Sequence, residues 1–129
     1  MKKITLLCIM FSLLVLQCAE TAEPLVCHVY GWVRKESDST GVDGIILRLR
    51  DIDPYNTEQS RERLITTATI DSMPGSFEVD SVCYGTSKMQ GTGYVTIFLD
   101  STSNPGWPNQ YWHPDIYGAV DTVILYITQ

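Results

Sequence analysis

The chain has 129 residues, of which 44% are hydrophobic, and a formal charge of −6. This composition excludes wholesale disorder, and the length allows one domain with a single modest core. The negative charge argues against nucleic acid and against charge-driven docking on anionic lipid, because both require clustered Lys and Arg.

The start of the chain has the pattern of an export signal. Lys2 and Lys3 precede a nearly continuous apolar run over residues 4–16. This run is too short for a membrane-spanning helix, which needs about 20 residues, but a basic start and a short apolar run are typical of a secretory signal peptide. We therefore predict a signal peptide over residues 1–18 and one domain over residues 19–129. Because both leader lysines are removed, the domain is more acidic than the whole chain.

The end of the leader resembles a bacterial lipobox. The segment Val15-Leu16-Gln17-Cys18 places Cys18 where a lipoprotein is lipidated and acquires its new N-terminus, although Gln17 stands where a small residue is usual. Ordinary cleavage after Ala19 or Ala22 is the alternative. We expect lipidation of Cys18, and hence an exported protein anchored in the cell envelope; the alternative implies a periplasmic or secreted protein.

The folded domain keeps two cysteines. Cys8 is removed with the leader and Cys18 is either lipidated or removed, which leaves Cys27 and Cys83. Two cysteines in an exported domain predict one disulfide, which would contribute about 4 kcal/mol in the loop-entropy model. Two buried free thiols are the alternative. Zinc is not expected, since the sequence has no CxxC pair.

Along the rest of the chain, short runs alternate apolar and polar residues, and no segment shows a helical apolar repeat. Strict alternation predicts half-buried strands. The runs cover residues 29–33, 45–49, 64–70, 77–79, 95–99 and 123–127. Turn signals rich in Gly, Ser and Pro lie at residues 39–41, 73–75 and 91–93. Two longer segments are predicted loops: residues 51–63, which are polar and charged, and residues 100–118, which are rich in Pro, Asn and aromatic residues. Six strands, with a seventh allowed and no helix, indicate an all-β sandwich or barrel.

Four motifs follow one another in this region. They are Val29-x-Gly31-x-Val33, Thr-Gly-Val-Asp-Gly-Ile-Ile-Leu-Arg-Leu at 40–49, Gly-Ser-Phe-Glu-Val at 75–79 between Asp71 and Val82, and Gly-Tyr-Val-Thr-Ile at 93–97. In this order they resemble the carboxypeptidase regulatory-like domains, which are prealbumin-like (transthyretin-like) β-sandwiches. The resemblance implies a single Ig-like sandwich of about seven antiparallel strands with Greek-key-type connections. It also implies a noncatalytic accessory or interaction module, often on bacterial surfaces; some relatives bind starch.

The segment 104–113 is the richest in candidate ligand-binding residues: Trp107, Asn109, Tyr111 and Trp112. Sugar rings stack on aromatic faces while amides bind hydroxyl groups, and loop aromatics also anchor protein interfaces. The alternative is that the tryptophans cover an open end of the sandwich. A second aromatic pair, Tyr30 and Trp32, is predicted either as a binding stripe or as a surface covered by the segment after Gly118.

Residues suited to catalysis are sparse. The two histidines, His28 and His113, lack a neighbouring nucleophile pattern, and the G-x-S-x-G elbow is absent. The spaced acidic pairs are interpreted as solvated strand-end residues rather than a glycosidase or calcium site: Asp51 with Asp53, and Glu78 with Asp80. We therefore predict no enzymatic activity, no metal and no cofactor. The expected partner is an envelope protein or, if the chain is a carbohydrate-binding module, a polysaccharide.

Overall fold

The computed structural model describes residues 21–89 and 93–129, so the predicted signal peptide over residues 1–18 and the lipidation site Cys18 lie outside the described residues. Within the described ranges the chain forms no helix and eight strands. In chain order these are β1 (Pro24–Lys35), β2 (Ile46–Asp53), β3 (Asn56–Thr66), β4 (Ala68–Ile70), β5 (Met73–Thr86), β6 (Thr96–Leu99), β7 (Gln110–Trp112) and β8 (Val120–Ile127).

The strands form two four-stranded sheets, with the order β4-β5-β1-β8 in the first and β3-β2-β6-β7 in the second. The predicted all-β sandwich is confirmed, with eight strands rather than about seven. One strand pair departs from the antiparallel expectation, since β8 runs parallel to β1. A parallel pair needs a long crossover connection, and here that connection includes the whole second sheet. No helix that could span a membrane is found in the described part of the chain.

One core lies between the two sheets. Alternate residues of facing strands point into it, as their period of two requires. Phe77 lies opposite Gly31 on neighbouring strands, and its ring occupies the space where a Cβ at position 31 would be. The buried core side chains are Cys27, Val29, Val33, Ile45, Leu47, Leu49, Phe77, Val79, Val82, Val95, Ile97, Leu99, Ile116, Val123, Leu125 and Ile127.

The predicted loop over residues 51–63 is wrong, because these residues belong to the β2–β3 hairpin. β2 continues to Asp53, and β3 begins at Asn56 after a tight turn. The polar composition of this segment led to the loop prediction. β3 is an edge strand with one side in water, and charged residues are common in such strands. Cross-strand contacts support it: Arg48 Nη1 lies 3.1 Å from Glu62 Oε1.

The predicted turn at residues 73–75 is displaced by two residues. Asp71 and Ser72 form the turn between β4 and β5, with φ angles of 50° and 64°. Positive φ at both central residues is the geometry of a type I′ hairpin turn, in which Asp is favoured. Residues 73–75 instead open β5. The residues at the predicted 91–93 turn are described only at Gly93.

A buried ionic cluster joins the two sheets. Asp51 on β2 has no exposed surface, and its carboxylate accepts hydrogen bonds from Nε and Nη2 of Arg61, each at 3.0 Å, and from Nη2 of Arg63 at 2.9 Å. It also accepts the backbone N–H of Cys83 on β5 at 2.9 Å. Arg63 donates onward to the Asp80 carbonyl at 2.7 Å. Asp51 is therefore a structural residue and not a solvated acid.

Candidate functional site

The outer face of the first sheet carries the chain's second aromatic pair. Because Cys27, Val29, Gly31 and Val33 of β1 are buried, the alternating residues between them point away from the core. The segment after Gly118 does not cover this face; it forms β8 beside β1. The outward residues of these two strands are His28, Tyr30, Trp32 and Arg34 on β1 and Thr122, Ile124 and Tyr126 on β8.

Strand register arranges these side chains in rows. Trp32 lies between Ser76 on β5 and Ile124 on β8, and Tyr30 lies in the next row. Tyr30 is 42% exposed and Ile124 and Tyr126 are 45% exposed each, whereas Trp32 is half-buried. Aromatic and aliphatic surface therefore continues across two neighbouring strands. We call this group, namely Tyr30, Trp32, Ile124 and Tyr126, the outer patch.

The patch extends toward the β4 edge. Ile70 and Met73, the rung next to the type I′ turn, are both exposed. Together with Tyr30 and Trp32 they line a small cavity of about 90 Å³. The indole N–H of Trp32 is enclosed and has no hydrogen-bond acceptor among the described residues. An enclosed donor without a partner destabilises a fold by about 1–3 kcal/mol.

An acidic cluster borders the patch beside Tyr30. His28 Nε2 lies 2.6 Å from Glu78 Oε1, and His28 Nδ1 lies 3.3 Å from Asp80 Oδ1. The hydrogen bond to Glu78, followed by that to Asp80, raises the pKa of His28 above its ordinary value of 6.5. The His28 hydrogen bond in turn lowers the pKa of Asp80. The predicted acidic pair Glu78 and Asp80 therefore shares one imidazole, and the cluster carries a net negative charge even with His28 protonated.

The aromatic segment 104–113 does not present its candidate residues together. Trp112 is opposite Ile97 in the β6–β7 pair and turns inward, while Tyr111 is opposite Phe98 and turns outward. Trp107 and Trp112 both pack against the core. This geometry agrees with the structural-cap alternative, because the two tryptophans pack against the core while Tyr111 is exposed.

The amides of this segment are used internally. Asn104 is buried, and its side chain accepts the N–H of Ile46 at 2.7 Å and donates to the carbonyls of Ile46 and Asp100 at 2.8 and 2.9 Å. Asn109 accepts the N–H of Ser101 at 2.8 Å. Gln110 accepts the N–H of Thr128 at 2.9 Å, which joins β7 to the end of β8. The segment is held as a tight cap by these bonds.

One part of the segment stays open to solvent. Tyr111 is 62% exposed and stacks on Phe98, with ring centroids 4.3 Å apart and planes 9° from parallel. Trp107 lies elsewhere, in a groove of about 360 Å³ bounded by Lys35, Glu36, Ser37 and the C-terminal residues 127–129. Tyr111 is therefore the exposed aromatic residue among the predicted ligand residues, while Trp107 forms part of the wall of this groove.

The predicted disulfide is not formed, since Cys27 and Cys83 are both free and buried. The register pairs Cys27 with Val82 and Cys83 with Val26, so the cysteines occupy neighbouring rungs. Neighbouring rungs project to opposite faces of a sheet, which keeps the two sulfur atoms apart. Cys27 Sγ lies 3.8 Å from the Tyr117 carbonyl, while Cys83 Sγ lies 3.3 Å from the Gly85 carbonyl. Burial raises the pKa of both thiols.

The remaining candidate chemistry is dispersed. His113 Nδ1 lies 3.2 Å from Thr96 Oγ1, while Asp53 accepts the N–H of Tyr55 at 2.9 Å and so closes the β2–β3 turn. In the described ranges, no three His, Cys, Asp or Glu side chains come together in a way that could hold a metal ion. Sequence reasoning missed the roles of Asp51 and Asn104, whose partners lie on distant segments.

Comparison of the chain with protein-family models, with curated proteins and with solved structures finds no match. The resemblance to carboxypeptidase regulatory-like domains therefore stays a prediction.

Proposed function

We propose that this protein is an exported, noncatalytic interaction module, anchored in the cell envelope through lipid on Cys18, that binds an envelope protein through the outer patch. The observation that carries the proposal is the exposure of Tyr30, Ile124 and Tyr126 on one sheet face, side by side with Trp32. Scattered exposed apolar residues are ordinary, but a contiguous group commonly marks an interaction surface.

The chemistry of the patch fits a protein partner. Tyr and Trp supply large contact areas with few rotatable bonds, and both are enriched at the energetic centres of interfaces. Charged groups lie at opposite ends of the aromatic strip, with Glu78 and Asp80 near Tyr30 and Arg34 opposite Tyr126. Such charges orient a partner more than they strengthen binding. We expect the partner to present an apolar centre with a basic group facing Glu78 and Asp80.

Site-specific crosslinking tests this function. A photoreactive phenylalanine analogue is placed at Tyr30 in the full chain, expressed in an exporting bacterial host, and at Tyr111 as the matched control. Tyr111 is a tyrosine on the outward side of the second sheet. We expect a discrete adduct with one envelope protein from position 30 and none from position 111. The identified protein should then bind the purified chain and lose affinity with Tyr30→Ala. Adducts absent from position 30, or equal from both positions, would contradict the proposal.

Lipid anchoring is tested separately. The purified protein should carry a diacylglyceryl group on Cys18, detected by mass spectrometry of the N-terminal peptide, and Cys18→Ser should release the protein from the membrane fraction. A mature N-terminus at residue 20 or 23 without lipid would refute the anchor but leave the outer patch untouched.

A carbohydrate-binding module is the second candidate, and the exposed stack of Tyr111 on Phe98 favours it. A sugar ring could add to this stack as a third layer. Binding of the full chain to a panel of polysaccharides, lost in Tyr111→Ala but retained in Tyr30→Ala, would support this function. Failure to bind any polysaccharide would eliminate it.

A further inference from the structure

The free edge of β8 differs from the other three sheet edges. β4 and β7 have three residues each, and β3 carries charged residues along its exposed length, all of which discourage pairing with another chain. β8 has eight residues, no proline and one charged residue, Asp121. A long apolar edge strand without such protection is a template for a further strand.

The hydrogen bonds of β8 show which backbone groups are open. The carbonyls of Ala119 and Ile127 accept N–H groups from His28 and Glu36, at 2.8 and 3.0 Å, so odd-numbered residues of β8 face β1. The even-numbered residues therefore direct their N–H and C=O groups toward the free edge, because both groups of a strand residue point to the same side.

Side chains close this edge at two points. The N–H of Thr122 is bound by Asp121 Oδ1 at 2.7 Å. The N–H and carbonyl of Thr128 are bound by the Gln110 amide, at 2.9 and 3.2 Å. Between these points, the N–H and C=O groups of Ile124 and Tyr126 have no hydrogen-bond partner in the described part of the chain. The open window thus consists of two residues, centred on Leu125.

We propose that two copies of the chain pair through this window, with their β8 strands antiparallel about a twofold axis at Leu125. In this register Ile124 faces Tyr126 of the partner subunit, and the twofold axis repeats the contact. Each such rung exchanges two N–H···O bonds, so all open groups of both windows are satisfied together. A twofold interface must be complementary to itself. This window meets that requirement, because the open N–H groups of each copy face open carbonyl groups of the other.

The neighbouring rungs agree with this register. Thr122 comes opposite Thr128 of the partner subunit, where side chains already bind both N–H groups and the Thr128 carbonyl, so this rung cannot exchange two hydrogen bonds as the inner rungs do. The single charge, Asp121, comes opposite Gln129 of the partner subunit, and like charges do not meet. On the outer face, the Ile124 side chain lies against an aromatic ring, which is a favourable cross-strand pair.

The proposed dimer does not require the proposed binding of an envelope protein, but it would bring two of the binding surfaces together. The two first sheets would join into one sheet of eight strands, and two outer patches would become adjacent. Because β1 runs parallel to β8, the two Pro24 ends would lie at opposite ends of the joined sheet. A dimer anchored by lipid on both copies would therefore rest with its strands along the membrane surface.

Sedimentation velocity of the purified full chain in mild detergent tests the proposal. We expect a concentration-dependent dimer. Tyr126→Lys places a charge in the window twice, once from each subunit, and should weaken association about tenfold or more. Leu64→Lys is the matched control, because Leu64 is an exposed apolar residue on the β3 edge. A monomer at every concentration, or a dimer unaffected by Tyr126→Lys, would overturn the proposal.

A cysteine pair tests the register and does not depend on the folding of the lysine variant. The double variant Ile124→Cys with Tyr126→Cys should give a covalent dimer after mild oxidation, because these positions face each other across the axis. The control Thr122→Cys with Tyr126→Cys corresponds to an axis at Ile124 and should crosslink far less. Equal crosslinking of both variants, or none in the first, would refute pairing about Leu125.

Discussion

Replacing Asp51 by Asn tests what holds the two sheets together. The side chain keeps its shape, but the charge that accepts from Arg61 and Arg63 is lost. The Asn amide would in addition direct a donor at one of the guanidinium groups. Two cations would then remain without their buried counter-ion, and the Cys83 N–H would lose a charged acceptor.

Breaking a buried ion pair by removing one partner destabilises by about 3–5 kcal/mol. The Arg61 and Arg63 side chains are 24% and 27% exposed, so water compensates them in part and the lower end applies. We therefore expect a loss of about 3 kcal/mol in the free energy of unfolding. For a domain of this size that corresponds to a fall in Tm of about 12–24 °C.

Urea unfolding of the unmodified chain and of Asp51→Asn, monitored by tryptophan fluorescence, measures this loss in the free energy of unfolding. The matched control is Glu62→Gln, which breaks the exposed Arg48–Glu62 pair on the same hairpin and should change stability by about 0.5 kcal/mol or less. If Asp51→Asn lost no more than about 1 kcal/mol beyond the control, the cluster would not be a main tie between the sheets. A triple apolar replacement of Asp51, Arg61 and Arg63 should lose less than the single variant, since no charge stays unpaired.

Three further predictions follow from buried or bridging groups. Cys27 and Cys83 should react with a thiol reagent only after unfolding, because both are buried and burial raises their pKa; peptide mapping that finds either one alkylated in the folded chain would contradict this. Since the pKa of folded His28 is raised, its stabilising contribution is present below about pH 6.5 and is lost as the pH rises through the folded pKa. Stability measured from pH 5 to 8 should therefore fall more steeply in the unmodified chain than in His28→Gln, and parallel curves would exclude the cluster as the cause. Asn104→Ala should destabilise by about 1–3 kcal/mol, whereas the exposed Asn109→Ala should change Tm much less; equal Tm values would show that the cap does not depend on Asn104.

Much of the fold class was predictable from local pattern. The alternation in residues 29–33, 45–49, 95–99 and 123–127 placed those strands, since a period of two is a property of each strand alone. Where polar residues interrupt the alternation, as in residues 51–63, the pattern did not predict the strands. The reason is that an edge strand such as β3 has one side in water and tolerates charged residues.

The candidate site depended on contacts that no local pattern contains. Tyr111 and Trp112 are adjacent in sequence, and only the register with β6 turns one outward and the other into the core. The same holds for Cys27 and Cys83, which the β1–β5 register places on neighbouring rungs, and for Asp51, whose partners come from β3 and β5.

By itself, then, the sequence determined that this chain makes strands and, within the alternating runs, which residues face inward; it also predicts an export signal at the start of the chain. Only the tertiary structure decided which strands became edges, and hence that the outer patch and the β8 window are open to solvent. The physical reason is that side-chain alternation is set within each strand, whereas strand order and register are set by pairing between segments far apart in the chain.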